Sequence, residues 1–209
     1  MQLDRISTSV FQASVYLWKL AYINLIWILL TLSGLIVFGL YPATVAMLTV
    51  IRQLSEQEDL PIFRTFWTAY KKEWTAANKL GLFLTIGLAV LYADSVFFEA
   101  KQHEAIGLFY YPAVIAFWML LMTGCYALAL QSMYKQTTIQ LLKNGFLMAI
   151  SMPVSTFMLI TGTGALLLAI SYLPWLLVFY AVSLWGWLLH FAAGMAIAKT
   201  KKKQTVLQP

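Results

Sequence analysis

The stretch Leu20–Ile51, LAYINLIWILLTLSGLIVFGLYPATVAMLTVI, holds 32 consecutive uncharged residues and decides the fold class. A helix needs about 20 mainly apolar residues to cross roughly 30 Å of hydrocarbon, so this run spans a bilayer with residues to spare. Inside it lies Gly39-Leu-Tyr-Pro-Ala43. Pro42 has no N–H for the carbonyl of Phe38, and it steers Tyr41 away from helical geometry. The sequence therefore predicts a first span of about residues 20–42, interrupted between Gly39 and Thr44. A break at membrane depth would aim the N-terminus of its second half at an anionic or polar ligand. Leu20–Phe38, however, is already about 28 Å of helix. That length favours a kinked helix end near the far interface, with residues 43–51 as a short amphipathic or partly exposed continuation.

The rest of the chain has the same character. Hydrophobic residues make up 61% and charged residues 11%, against about 45–50% and about 25% in soluble domains. The expected fold class is all-α: one polytopic helix bundle over residues 1–209, with about five transmembrane helices. Residues 80–98, 107–132, 145–169 and 175–197 supply the other four spans. The 55-residue run Asn144–Ala198 is too long for one crossing, and Ser171-Tyr-Leu-Pro174 is its natural turn. The apolar run after Lys19 exceeds a signal-peptide core and reads as a retained anchor.

Five spans put the segment Arg52–Lys79, the loop 135–143 and the tail from Lys199 on one side. Those three segments hold eleven of the fourteen Lys and Arg, with Arg5, Lys19 and Lys101 opposite. The positive-inside rule then places the first loop and the C-terminus in the cytoplasm and the N-terminus outside. The basic residues mark span ends rather than an aromatic-interleaved soluble face, so nucleic acid is not an expected partner.

Within the cytoplasmic loop 52–79, Phe63, Phe66, Trp67, Tyr70 and Trp74 recur at helical spacing while Arg64, Lys71 and Lys72 fall away from them. An interfacial amphipathic helix over 61–74 is expected, aromatic side in the headgroups. Its basic side is the candidate partner-docking surface.

Asn24 and Trp27, Gly39 with Pro42-Ala43-Thr44, Phe66-Trp67, and Asn78 leading into Leu80-Gly81 resemble, in that order, the signature of the YesL-like family of bacterial integral membrane proteins. The resemblance covers about residues 21–82. It implies a small multi-pass protein of the bacterial plasma membrane, encoded near carbohydrate uptake and polysaccharide degradation systems. It supplies no catalytic residues. Some relatives have glycine directly before the proline, whereas here Leu40 and Tyr41 separate Gly39 from Pro42.

Two ionisable residues lie within apolar spans. Asp94 is a candidate for proton or cation coupling, or a side chain that reaches the outer interface beside Glu99, Lys101, His103 and Glu104. His190 shares a helical face with Gly186 and Gly194, a small-residue face that admits another helix. It is a candidate proton relay or an interhelical hydrogen-bonding group. Cys125 stands alone, no Cys/His cluster has zinc spacing, and no phosphate loop, H-E-x-x-H or G-x-S-x-G occurs. No catalytic, metal or cofactor residue is therefore expected. The leading expectation is a non-enzymatic accessory protein of a carbohydrate system, whose partners are the bilayer and sugar ABC importer subunits or a second copy. The alternative is a small secondary transporter using the broken first helix with Asp94 or His190. Candidate structural or functional residues are thus Asn24, Gly39, Pro42, Asp94 and His190.

Overall fold

The computed structural model describes the backbone of residues 2–57, 59–101 and 103–206, and within them the side chains of 11–197 except residue 13. The elements are α1 (Gln2–Ser33), α2 (Val37–Glu56), α3 (Ile62–Ala100), a 3-10 turn (Ala105–Phe109), α4 (Tyr110–Met133), α5 (Thr138–Ser151), α6 (Pro153–Tyr172), α7 (Trp175–Phe179) and α8 (Ala181–Val206). Among the described residues, five stretches are long and apolar enough to cross a membrane: Ser14–Ser33, α2, α3, Ala105–Met133 and α6, with Ala181–Ile197 of α8 shorter. The fold is all-α and polytopic.

The break in the first apolar run falls at residues 34–36, not at Gly39–Thr44. Leu35 and Ile36 have φ of 55° and 63°. The N–H of Ile36 reaches the Thr31 carbonyl (2.9 Å) and that of Leu35 the Leu32 carbonyl (3.0 Å). This is a Schellman ending, with leucine in the left-handed position usually held by glycine. A γ-turn centred on Ile36 follows, its Val37 N–H on the Leu35 carbonyl at 2.7 Å. Every N–H from Gly34 to Val37 is thus bonded within the turn, which lets an irregular backbone sit among the exposed Leu35, Ile36, Val37 and Phe38 without water.

Glycines explain the location. A Cβ on Gly34 would strike the backbone of Gly39, and one on Gly39 would strike Thr31 and Leu30. The pair lets α1 and α2 cross backbone against backbone. Pro42 lies inside α2, buried in its second turn, where it forfeits one hydrogen bond near the helix start rather than turning the chain.

Residues 43–51, expected as a short amphipathic or partly exposed continuation, are instead the centre of the protein. Ala43, Val45, Ala46, Met47 and Val50 are completely buried. Of the apolar windows, 61% of α2 is buried against 17% of α3 and 11% of α6. Helix α2 is therefore surrounded by protein, while α3 and α6 turn most of their surface outward, toward lipid. The amphipathic helix expected over 61–74 is not a separate element. It is the first part of the 39-residue α3, whose Phe66, Ala69, Tyr70, Ala77 and Leu80 form a buried stripe. The Tyr70 hydroxyl donates to the Leu30 carbonyl at 3.0 Å, and only Phe63 and Trp67 of the aromatic set remain large exposed rings. The segment expected as a span at 145–169 divides at Met152, before Pro153 at the first position of α6. The one at 175–197 divides at Tyr180, between α7 and α8.

Contacts set the directions. Trp27 pairs with Thr44 and Thr31 lies on Gly39, so α1 and α2 form an antiparallel hairpin. Gly87 faces Leu120, Gly124 faces Leu84, and Gln131 meets Glu73, so α3 and α4 are antiparallel. Gly186 packs on Met47 and Ile51 while His190 lies in the electrostatic reach of Arg52 and Glu56; α8 therefore runs with α2. The start of α1 returns to the side of Arg52. Thirteen of the fourteen Lys and Arg then share one side, and Lys101 alone lies opposite. The positive-inside rule makes that side cytoplasmic and replaces the expected outside N-terminus with a cytoplasmic one. Side chains of Arg5 and of the tail from Lys199 lie outside the described residues, so their assignment rests on chain direction.

Candidate functional site

The chain reverses between Glu56 and Ile62, setting the last turns of α2 beside the first turns of α3. On α3, Arg64, Thr68 and Lys72 recur every four residues and form one stripe. Helix α4 ends at Met133 against the same region, bringing Gln131, Tyr134 and Lys135. The three elements enclose an open cavity of about 550 Å³ at the cytoplasmic end.

Four cationic side chains line it, Arg52, Arg64, Lys72 and Lys135, against one carboxylate, Glu73. The carboxylate is engaged: Gln131 Nε2 donates to Glu73 Oε2 at 3.2 Å. That bond fixes which way the Gln131 amide points, leaving its Oε1 buried without a donor. Arg52 Nη1 is 3.6 Å from the exposed Glu56 carboxylate, a loose i,i+4 pair of small energetic value. The Nε of Arg52 is buried with no acceptor. A guanidinium with a free buried N–H, among three further cations, is suited to charge-assisted hydrogen bonding of an anion.

Of the residues expected to dock a partner, Arg64 and Lys72 line the cavity, and both are exposed. Lys71 points elsewhere, its Nζ 4.6 Å from the centre of the Trp67 ring. Arg52, Glu73, Gln131 and Lys135 were missed. Arg52 and Lys135 stand out in the sequence as cations at span ends, but orientation alone accounts for them, and nothing in the sequence sets Glu73 or Gln131 beside them.

The remaining candidates do not converge. Asn24 is fully buried; its Nδ2 donates to the Val178 carbonyl (2.6 Å), and its Oδ1 accepts the N–H groups of Val182 and Ser183 at 3.0 and 3.1 Å. It caps α8 from α1 and is structural. Gly39 and Pro42 shape the α1–α2 crossing. Beside them, Val37, Phe38, Tyr41, Trp74, Asn78 and Leu82 border an apolar groove of about 340 Å³. Across it the Tyr41 hydroxyl meets that of Thr85 at 2.6 Å, over a Gly81 that has no room for a Cβ. Asp94 is exposed in the outer part of α3, near the Lys101–Glu104 ion pair. His190 lies toward Arg52 at the opposite end, with its Nδ1 buried and unpaired. The two do not meet. Gly186 does admit a neighbouring helix, α2, whereas Gly194 has open space around it. Among the described residues no group of three His, Cys, Asp or Glu could hold a metal.

The region from α1 through most of α3, residues 20–95, matches the family model described as "Protein of unknown function, DUF624". Over 167 residues, 78% of each chain, the sequence is 34% identical to the uncharacterized protein YesL of Bacillus subtilis (strain 168). YesV of the same organism is 32% identical over 184 residues, 88% of each chain. The chain belongs to the YesL-like family. A third Bacillus relative, YteU, is 29% identical over 170 residues, 81% of this chain and 76% of its own. No solved structure matches. The 20–95 match takes in the α2 and α3 walls of the cavity of this YesL-like protein, and ends before the α4 wall.

Proposed function

We propose that this YesL-like protein is a non-enzymatic accessory component of a bacterial carbohydrate uptake or degradation system, which it serves by docking a cytoplasmic segment of a sugar ABC importer. The observation that carries this reading is the concentration of exposed cations, Arg64, Lys71 and Lys72, on the cytoplasmic start of α3. Their backbone is held rigid against the buried α2, so an acidic partner segment would meet a preformed surface. Complementary charge gives such an encounter speed and register more than affinity. The carbohydrate system itself is an expectation that comes with the family resemblance.

The test is copurification of importer permease subunits from native membranes. Wild type should bring them down, and a Lys71→Glu/Lys72→Glu variant of equal abundance should not. Recovery of the wild-type protein alone or only with copies of itself, from cells making the complete importer, would remove the proposal, as would unchanged sugar uptake on deletion. The apolar groove beside Tyr41 favours a second reading, a small transporter, which requires solute flux in reconstituted liposomes. The separation of Asp94 from His190 counts against ion coupling through that pair.

A further inference from the structure

The cavity adjoining the docking surface has a chemistry of its own. Its volume of about 550 Å³ is within the roughly 300–1,000 Å³ usual for small-molecule sites. Its chemistry discriminates among ligands. The hydroxyls of Thr49 and Thr68 donate to the Val45 and Arg64 carbonyls, and Ser132 donates to Ala129. With those hydrogens spent on the backbone, the neutral donors left are Gln53, Thr65 and Tyr134, beside four cations. A neutral sugar needs donors and acceptors in balance, whereas an anion needs what the cavity offers. Four cations from α2, α3 and the end of α4 face one carboxylate already held by Gln131. A phosphomonoester, with about −1.5 to −2 charges and three acceptor oxygens, offsets that excess far better than a singly charged carboxylate. Gln131 adds a second requirement. Its buried Oε1 lacks a donor, and a hydroxyl on the ligand beside the phosphate would supply one.

We propose that the cavity binds a hydroxyl-bearing phosphate ester, with Arg52, Arg64, Lys72 and Lys135 around the phosphate and Gln131 accepting from the hydroxyl. Two sources carry this chemistry, a soluble polyol phosphate from the cytoplasm and the headgroup of phosphatidylglycerol phosphate, whose terminal phosphate is also a monoester beside a hydroxyl. The inference shares Arg64 and Lys72 with the docking reading and is distinguished from it at Lys71, which belongs to the docking surface and not to the cavity. A Lys71→Glu variant that loses the importer should keep the ligand.

The test has two arms. Calorimetry of the purified full chain in detergent with glycerol 3-phosphate, and with glycerol as the uncharged control, examines the soluble source. Native mass spectrometry from mixed phosphatidylcholine–phosphatidylglycerol phosphate nanodiscs examines the lipid, with phosphatidylglycerol as the singly charged control. Binding in either arm should fall about tenfold or more in Arg52→Gln and in Lys135→Gln. It should return in Lys135→Arg and be unchanged in Lys79→Gln, which alters an exposed cation outside the cavity. Glycerol should not bind. Absence of binding in both arms, equal binding by glycerol, or binding indifferent to Arg52→Gln and Lys135→Gln in folded, monodisperse protein would overturn the proposal.

Discussion

Replacing Asn24 by leucine keeps the number and branching of the side-chain heavy atoms and removes three hydrogen bonds, to the carbonyl of Val178 and from the N–H groups of Val182 and Ser183. Val182 and Ser183 are the second and third residues of α8, positions where N–H groups have no partner within their own helix. In a water-soluble protein the solvent could take them over. Here the site is completely buried, in a protein whose surroundings are largely lipid, and no water stands ready. Interhelical hydrogen bonds in membranes average about 0.6 kcal/mol each, which puts three at about 2 kcal/mol. Two orphaned buried donors at about 1–3 kcal/mol each raise the upper bound to about 6. We expect Asn24→Leu to destabilise by about 2–4 kcal/mol.

Equilibrium unfolding in mixed micelles measures this loss, and amide exchange at Val182 and Ser183 locates it. Asn24→Asp, measured at a pH low enough to keep the buried carboxyl neutral, separates hydrogen bonding from packing: it keeps the acceptor for both N–H groups and an O–H to return to Val178. Its loss should be smaller than that of the leucine variant. A change below about 0.5 kcal/mol in Asn24→Leu, too small for even one average membrane hydrogen bond, would refute the cap. Equal losses in the two variants would show that the Oδ1 contacts contribute nothing.

Three further outcomes follow from the hairpin and its neighbours. Leu35→Gly removes a left-handed leucine costing about 1–2 kcal/mol at an entropic cost of about 0.5–1, so it should stabilise by up to about 1 kcal/mol in the same unfolding assay. Gly81→Ala drives a methyl into the Tyr41 ring and should cost about 1–3 kcal/mol; Tyr41→Ala in the same chain should recover part of that, giving a favourable coupling in a double-mutant cycle. With Cys125→Ser as background, Gln2→Cys should react with an impermeant maleimide only after the cells are permeabilised, while Glu104→Cys should react in intact cells. Labelling of Gln2→Cys from outside would overturn the hairpin topology.

Fold class was legible because hydrocarbon thickness imposes a length on apolar runs, and a length can be counted. The turn was not legible in the same way. Proline is the loudest local signal in Leu20–Ile51, yet a proline in the second turn of a helix sacrifices a single bond, and α2 continues through it. Gly34 is quieter; its effect depends on Gly39 five residues later, because what they share is a crossing between two helices that exists only once both have formed. Moving the break by these few residues reverses the first helix pair. Arg5 and Lys19 then join the cytoplasmic cations, and residues 43–51 become the centre of the buried α2. The cavity was obscured for a related reason. Arg52, Lys72 and Lys135 each satisfy the positive-inside rule alone, so orientation accounts for every one of them without requiring that they meet. Only the antiparallel return of α4 against α3, with Gln131 on Glu73, makes three span ends into one wall. Orientation requires cations on the cytoplasmic side but does not require them to face a common space, and that surplus of arrangement over need is the physical ground for seeking an anion there.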